Sequence, residues 1–430
     1  MTSIALALAF TWFLLRTRVS LALAVILQGM LVAAGLAVLA GRGDGKWTTV
    51  GVFGASLVAM AVGYWASARW HESRDRQTST PRVAPTFRPL PDIVVWSVVI
   101  VACGLASYHF VKAGVPFLSG SLDRDRFDFT SSGLFGIPGR MYLYGTTFVW
   151  AFACANATAR EIKWRRYKPW LVSTVFLFGT TLLSGFKGAL LSLAITVVGV
   201  FVIVTGANVR FGEMLRKYWW LAGVPVAYFF FVATLYKYYT YSSAPLWQQL
   251  LDRATIVGAA PAQLLLEGRG SLHFASTLPG DFQYFLIKYT GGTPTGVPLD
   301  RAVSAQMINV DAQSAAWTPP VTLSGFAEIS YYYTIVAGYL AMLLSGAWLA
   351  HCDFGRVKSV AQLTFRAIVV LTMYDWLLKG ELAYNVLNSL AVAGMLAAVA
   401  FFTYLTFGAA AAEPRAAPRP FGPAPATDLN

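Results

Sequence analysis

The chain has 430 residues, of which 57% are hydrophobic and only 12% charged, and its mean hydropathy is +0.56. An ordinary soluble domain is about one quarter charged, so this composition excludes a soluble enzyme, a coiled coil and a disordered chain. The net charge of +13 reads as the loop bias of a membrane protein rather than as nucleic-acid binding. Three cysteines and four scattered histidines give neither a disulfide framework nor a metal motif.

A membrane span needs about 20 mainly apolar residues. Apolar runs at 4–15, 21–40, 48–66, 93–111, 141–157, 171–183, 189–205, 219–235, 329–350, 367–378 and 382–407 predict about eleven spans. The first run has no basic flank and no cleavage site, so it does not read as a signal peptide. Basic residues fall in alternate loops: Arg16 and Arg18; Arg69 to Arg88; Arg160 to Lys168; Arg210 to Lys217; Arg356 to Arg366. The positive-inside rule then places the N-terminus outside and the C-terminus in the cytoplasm. Residues 1–408 are expected to form one transmembrane domain, including an extracytoplasmic loop at 237–322. The Ala/Pro-rich 409–430 reads as a disordered cytoplasmic tail. No internal repeat is evident, which weighs against a transporter built of two similar halves.

Four outer segments remain. The first, 114–140, packs Asp123, Arg124, Asp125, Arg126 and Asp128 together and ends in Arg140. It is either a self-neutralising solvated loop or an anion cradle, because the planar guanidinium suits diphosphate oxygens. The second is a tight turn holding Lys187 between Gly185 and Gly188. Such a lysine is either a snorkelling anchor or a contact for a lipid phosphate. The third is the long loop. Leu246, Trp247, Leu250, Leu251, Ala254 and Ile256 give it an amphipathic helix, interrupted by Asp252 and Arg253. Tyr236, Tyr239 and Tyr241 open it, and Tyr332 follows it; tyrosines there fit a glycan site and an interfacial aromatic belt equally well. The strip 291–296 lacks the features of a phosphate loop. Glu328 sits at the entrance to a span, where an acid is rare and often functional. The fourth is Lys379-Gly380-Glu381. Lys379 either pairs with Glu381 or shares a helix face with Asp375, four residues back. No nucleophile elbow, zinc-protease signature, sugar-nucleotide acidic motif or P-loop is present.

The strip GVPFLSGSLDRDRF followed by Gly139-Arg140, the turn LLSGFKGALLSL, LLDRAT around Arg253, TLSGFAEISYYYTIVAGYL and LLKGEL together resemble the bacterial oligosaccharide repeat-unit polymerases, the O-antigen polymerase or Wzy type. The likeness runs from about Gly114 to Leu390, and order and topological side carry it rather than any one motif. The last turn reads Lys-Gly-Glu where Arg-Gly-Asp is the expected form. The resemblance implies an all-α polytopic membrane protein of GT-C-like fold. It implies a metal-independent, cofactor-free glycosyltransferase in the bacterial cytoplasmic membrane, with its site facing the periplasm. The substrates implied are polyprenyl-diphosphate-linked glycans, among membrane lipids, with a chain-length regulator of the Wzz type as a further partner.

On that reading Arg124, Arg126, Arg140, Lys187, Arg253 and Lys379 meet the diphosphate, which gains negative charge as the glycosidic bond breaks. Glu328 is the first choice of base, with Asp123 and Glu381 next. An O-antigen ligase shares topology and lipid donor, but His273 has no partner that would mark one. A transporter needs charges deep in several spans, whereas here they sit at span ends, with Asp375 the clearest exception. A non-catalytic scaffold predicts freely replaceable outer arginines.

Overall fold

The computed structural model describes residues 21–78, 88–118, 136–184, 189–205, 258–268, 277–310, 321–354 and 357–408, with a few isolated positions. Helices joined by turns make up these residues, with no extended strand among them. The predicted spans at 4–15 and 219–235, the amphipathic helix at 246–256, His273 and the tail lie outside the described residues.

Six helices are long and apolar enough to cross a membrane. They are α1 (Leu21–Arg42), α2 (Trp47–Thr78), α3 (Asp92–Ala113) and, later in the chain, Ile335–Phe354, Val360–Lys379 and Leu382–Thr403. The apolar runs between them also fold: α4 (137–159), α5 (Lys168–Leu183) and α6 (Ala189–Thr205). Shorter helices follow at α7 (258–267), α8 (Leu278–Tyr289), α9 (Leu299–Met307) and α10 (Gly325–Tyr332). The three last long helices are α11, α12 and α13 in that order. Val111, Val175, Val336, Leu344 and Phe402 are between 65% and 81% exposed on the helix surfaces. Apolar area of that kind costs about 25 cal/mol per Å² in water and nothing in lipid, so the protein is membrane-embedded.

Helix pairing agrees with the alternation read from the basic loops. Helices α2 and α11 are parallel: Tyr339 Oη donates to Val52 O at 3.1 Å near one end, and His71 and His351 ring nitrogens lie 3.2 Å apart near the other. Both were expected to run inward from the outer face. Glycine lets their backbones touch between those contacts. A Cβ on Gly63 would lie 2.0 Å from Leu343 O, and one on Gly346 2.0 Å from Met60 O. Small residues at such crossings are how helices associate where there is no water to expel. Helices α3 and α4 are antiparallel, with His109 against Gly139 and Leu90 N–H bonded to Asn156 Oδ1 at 2.7 Å.

One predicted span is divided. The run at 329–350 breaks at Tyr333 and Thr334, and Thr334 Oγ1 accepts from Ala337 N at 3.0 Å to cap α11. The preceding turn of helix, α10, is thereby free to lie against α12. Helix α4 changes pitch at Met141–Gly145, a π segment directly after Arg140. Such segments often occur at functional sites because the extra residue turns side chains out of the helical register.

Candidate functional site

The turn between α12 and α13 organises a polar cluster. Leu323 N donates to Lys379 O at 2.7 Å, and Gly380, at φ +76°, fits where a Cβ would come within 2.7 Å of Leu323. Leu382 opens α13, and its N–H has no helical acceptor. Glu328 supplies one: its Oε1 accepts from Leu382 N at 3.0 Å, and its Oε2 accepts from Trp376 Nε1, also at 3.0 Å. Gly325 permits this approach, since a Cβ there would sit 2.9 Å from the Trp376 ring. Glu328 is 1% exposed; burial pushes its carboxyl up to about 8, against the pull of the two donors. A carboxylate at a helix N-terminus also meets the positive end of the helix dipole.

Glu381 lies in the left-handed region, at φ +61° and ψ +51°. That conformation costs a non-glycine residue about 1 kcal/mol or more. Its carboxyl is held well above the usual range, by burial and then by the charges of Asp300 and Glu328, with Lys379 and Arg301 opposing. Lys379 is bonded to Asp375 at 2.5 Å, one helical turn back, so of the two partners open to it Asp375 is the one it takes. The pair stays half-exposed, with side chains 46% and 31% accessible, so solvent reaches this side of the cluster.

The long loop contributes a second layer. Asp281 is buried and accepts from Tyr332 Oη and, at 3.3 Å, from Leu299 N; burial lifts its carboxyl to about 7. Asp300, in the first turn of α9, is lifted by burial to about 6, with the Arg301 and Lys288 cations opposing. The Lys288 ammonium is held below its usual range, by burial first and then by the cations Arg301 and Arg140.

Arg140 completes the cluster from α4. Its guanidinium carbon sits 3.5 Å from the centre of the Tyr289 ring, a stacked cation–π contact. Among the described residues no carboxylate lies within ion-pair distance of it. Burial pushes the Tyr289 phenol up to about 12, with the Arg140 charge opposing. Phe285 joins Tyr289 to Tyr384, with ring centres 6.1 and 5.3 Å away. Tyr144 Oη donates to Asn385 Oδ1 at 2.6 Å across 241 residues of chain, and Asn385 Nδ2 donates to Gly380 O at 2.8 Å. Thus α4, α8 and the α12–α13 turn are tied to one another.

Of the residues singled out from sequence, Arg140, Glu328, Tyr332, Lys379 and Glu381 come together here. Asp123, Arg124, Arg126, Lys187, Tyr236, Tyr239, Tyr241 and Arg253 lie outside the described residues. Asp281, Lys288, Tyr289, Asp300, Arg301, Asn385 and Asn388 belong to the cluster and were not singled out. For the asparagines a signal existed: two amides three apart in the otherwise apolar Leu382–Thr403 share one helix face. Among the described residues no three His, Cys, Asp or Glu side chains group as a metal site would require. No family model, no curated protein and no solved structure matches the chain.

Proposed function

We propose that the protein polymerises polyprenyl-diphosphate-linked oligosaccharide repeat units at the outer face of the bacterial cytoplasmic membrane, as an eleven-span glycosyltransferase of the GT-C type. The observation that carries this reading is the convergence of Arg140 with Lys379, Glu381 and Glu328, cations and acids drawn from distant parts of the chain into one solvent-reachable cluster. Sequence resemblance supplies the substrate class; the cluster supplies groups suited to it.

The acceptor sugar hydroxyl attacks the anomeric carbon of the donor glycan. Its proton passes to the Glu381 carboxylate, the bond from anomeric carbon to diphosphate oxygen breaks, and the electron pair leaves on the diphosphate. A carboxylate held above its ordinary range is a stronger proton acceptor near neutral pH. Glu328 has both oxygens occupied by Leu382 and Trp376, so it serves by fixing the turn that presents Lys379 and Glu381. Arg140 and Lys379 stabilise the charge on the departing diphosphate, a contribution of about 10² to 10³ in rate for one such donor. The left-handed Glu381 supports its role as base, because strain of that kind is kept where a side chain is used.

The test is an assay with purified protein in liposomes, given the host's lipid-diphosphate-linked repeat unit, EDTA and no nucleotide sugar. A ladder of repeat multiples is expected. Transfer to lipid A core without a ladder would make the protein a ligase instead.

A further inference from the structure

Two buried donors beside Arg140 have no partner. Asn388 is 1% exposed, yet its Nδ2 makes no hydrogen bond, and neither does the buried Tyr289 Oη. Asn388 and the Arg140 guanidinium both face the Tyr289 oxygen closely enough to favour its phenolate, with the more distant Glu381 charge opposing, yet neither reaches bonding geometry. A buried polar group left unmade costs about 1–3 kcal/mol, so native chains rarely keep two side by side. Both also adjoin a cation that has no carboxylate in reach. Donors and positive charge without an acceptor describe the empty half of an anion site.

We propose that Arg140, Tyr289 and Asn388 form the oxygen-binding pocket for the diphosphate of a lipid-linked substrate, with Tyr289 Oη and Asn388 Nδ2 each donating to a phosphate oxygen and Arg140 supplying charge. This rests on the polymerase reading for its substrate, and adds two binding residues that the sequence did not single out. The tyrosine ring fixes the guanidinium plane, so the two hydroxyl and amide donors and the fork lie on one patch of α4, α8 and α13. Neutral donors suit this position, because Lys288 and Arg301 already crowd it with positive charge. Two more neutral donors add direction without adding repulsion.

The test measures the melting temperature of the full-length protein in detergent, alone and with undecaprenyl diphosphate, inorganic pyrophosphate, undecaprenol or phosphatidylglycerol. Undecaprenyl diphosphate and pyrophosphate are expected to protect the wild type. Tyr289→Phe and Asn388→Leu are each expected to weaken binding about ten- to hundredfold, the worth of one hydrogen bond to a charged group. Their ligand-free melting temperatures should stay level or rise, because each removes an unmet donor. Asn388→Asp should weaken binding further, since it sets a carboxylate against the phosphate. A fall of several degrees in the ligand-free protein for both Tyr289→Phe and Asn388→Leu would overturn the proposal, because the pair would then be structural. Equal protection by undecaprenol or phosphatidylglycerol would also overturn it, as neither presents a diphosphate. If binding follows these variants and no polymer ladder forms, the pocket stands and the polymerase reading falls. If the ladder forms and no variant changes binding, the reverse holds.

Discussion

Two buried asparagines in this protein are bonded in opposite ways. Asn156, fully buried in α4, is the centre of a closed knot. Its Oδ1 accepts from Leu90 N at 2.7 Å, and its Nδ2 donates to Tyr167 Oη at 2.8 Å. Tyr167 and Arg160 in turn hold Asp92, at 3.1 and 3.0 Å. Asn388, equally buried in α13, has an amide nitrogen with no partner, next to a tyrosine hydroxyl with none. The first arrangement fastens the start of α3 to α4 and leaves its asparagine no capacity for a ligand. The second leaves donors open beside a cation. Satisfaction of the hydrogen-bonding groups, not burial or polarity, separates the structural amide from the one proposed to bind.

The contrast is open to direct attack. Asn156→Leu is expected to have the largest effect, because it strands Leu90 N–H and takes from the Tyr167 hydroxyl one of its two partners, leaving it Asp92 alone. A loss of about 2–3 kcal/mol follows from one group left unmade and one hydrogen bond removed, and thermal unfolding in detergent measures it. Asn388→Leu should lose nothing in the same experiment. Equal destabilisation of the two would erase the distinction.

Glu328→Leu is expected to cost somewhat less, about 2 kcal/mol, through the uncapped N–H of Leu382 and the unpaired indole of Trp376. Glu328→Gln keeps one acceptor oxygen and sets its amide nitrogen against the second donor, so it should lose about half as much, and it also changes the pH response. Glu328, Asp281 and Asp300 carry carboxyls raised to about 8, 7 and 6, whereas the unfolded chain titrates them near 4. Between those limits the folded state binds more protons than the unfolded state, so stability falls as pH rises from about 4 to about 8. Melting temperatures measured from pH 5 to 8.5 should decline, and Glu328→Gln should flatten the upper part of the decline. A melting temperature that climbs across that window would contradict the buried-acid description.

Glu381→Gly separates backbone from side chain. Glycine accepts φ +61° without penalty, so stability should rise by up to about 1 kcal/mol while polymerisation is lost. Retained activity would remove Glu381 from the chemistry. The smallest effect is expected for Lys379→Ala on stability. Its bond to Asp375 is half-exposed, and such pairs contribute about 0–1 kcal/mol. Its measurable consequence should lie in rate.

Six long apolar helices were legible because hydropathy is a property of the sequence itself. Gly63 and Gly346 are the residues that allow the parallel crossing of α2 on α11. The turn Lys379-Gly380-Glu381 was also legible, being three polar residues between two apolar runs. The break at Thr334 was not, because an apolar stretch hides a capping threonine. Asp281, Asp300 and Arg301 were missed for a different reason. They sit on short helices of the long loop, Leu278–Tyr289 and Leu299–Met307, where no long periodic pattern says which side chain turns inward. Their importance arises only when tertiary packing sets them beside Glu328 and Glu381. Asn388 was within reach of a sequence reading, but its unmet nitrogen is a fact of three dimensions.

The central claim is that the Arg140–Glu381 cluster transfers glycan from a lipid diphosphate. The measurement that meets it most directly is single-turnover transfer between two lipid-diphosphate-linked repeat units, by wild type and by Arg140→Gln, in liposomes with both proteins shown to be folded. Dimer formation by the wild type is expected, with a rate about 10² to 10³ lower in the variant. Dimer formation at the same rate by both, or by neither on authentic substrate, would contradict it.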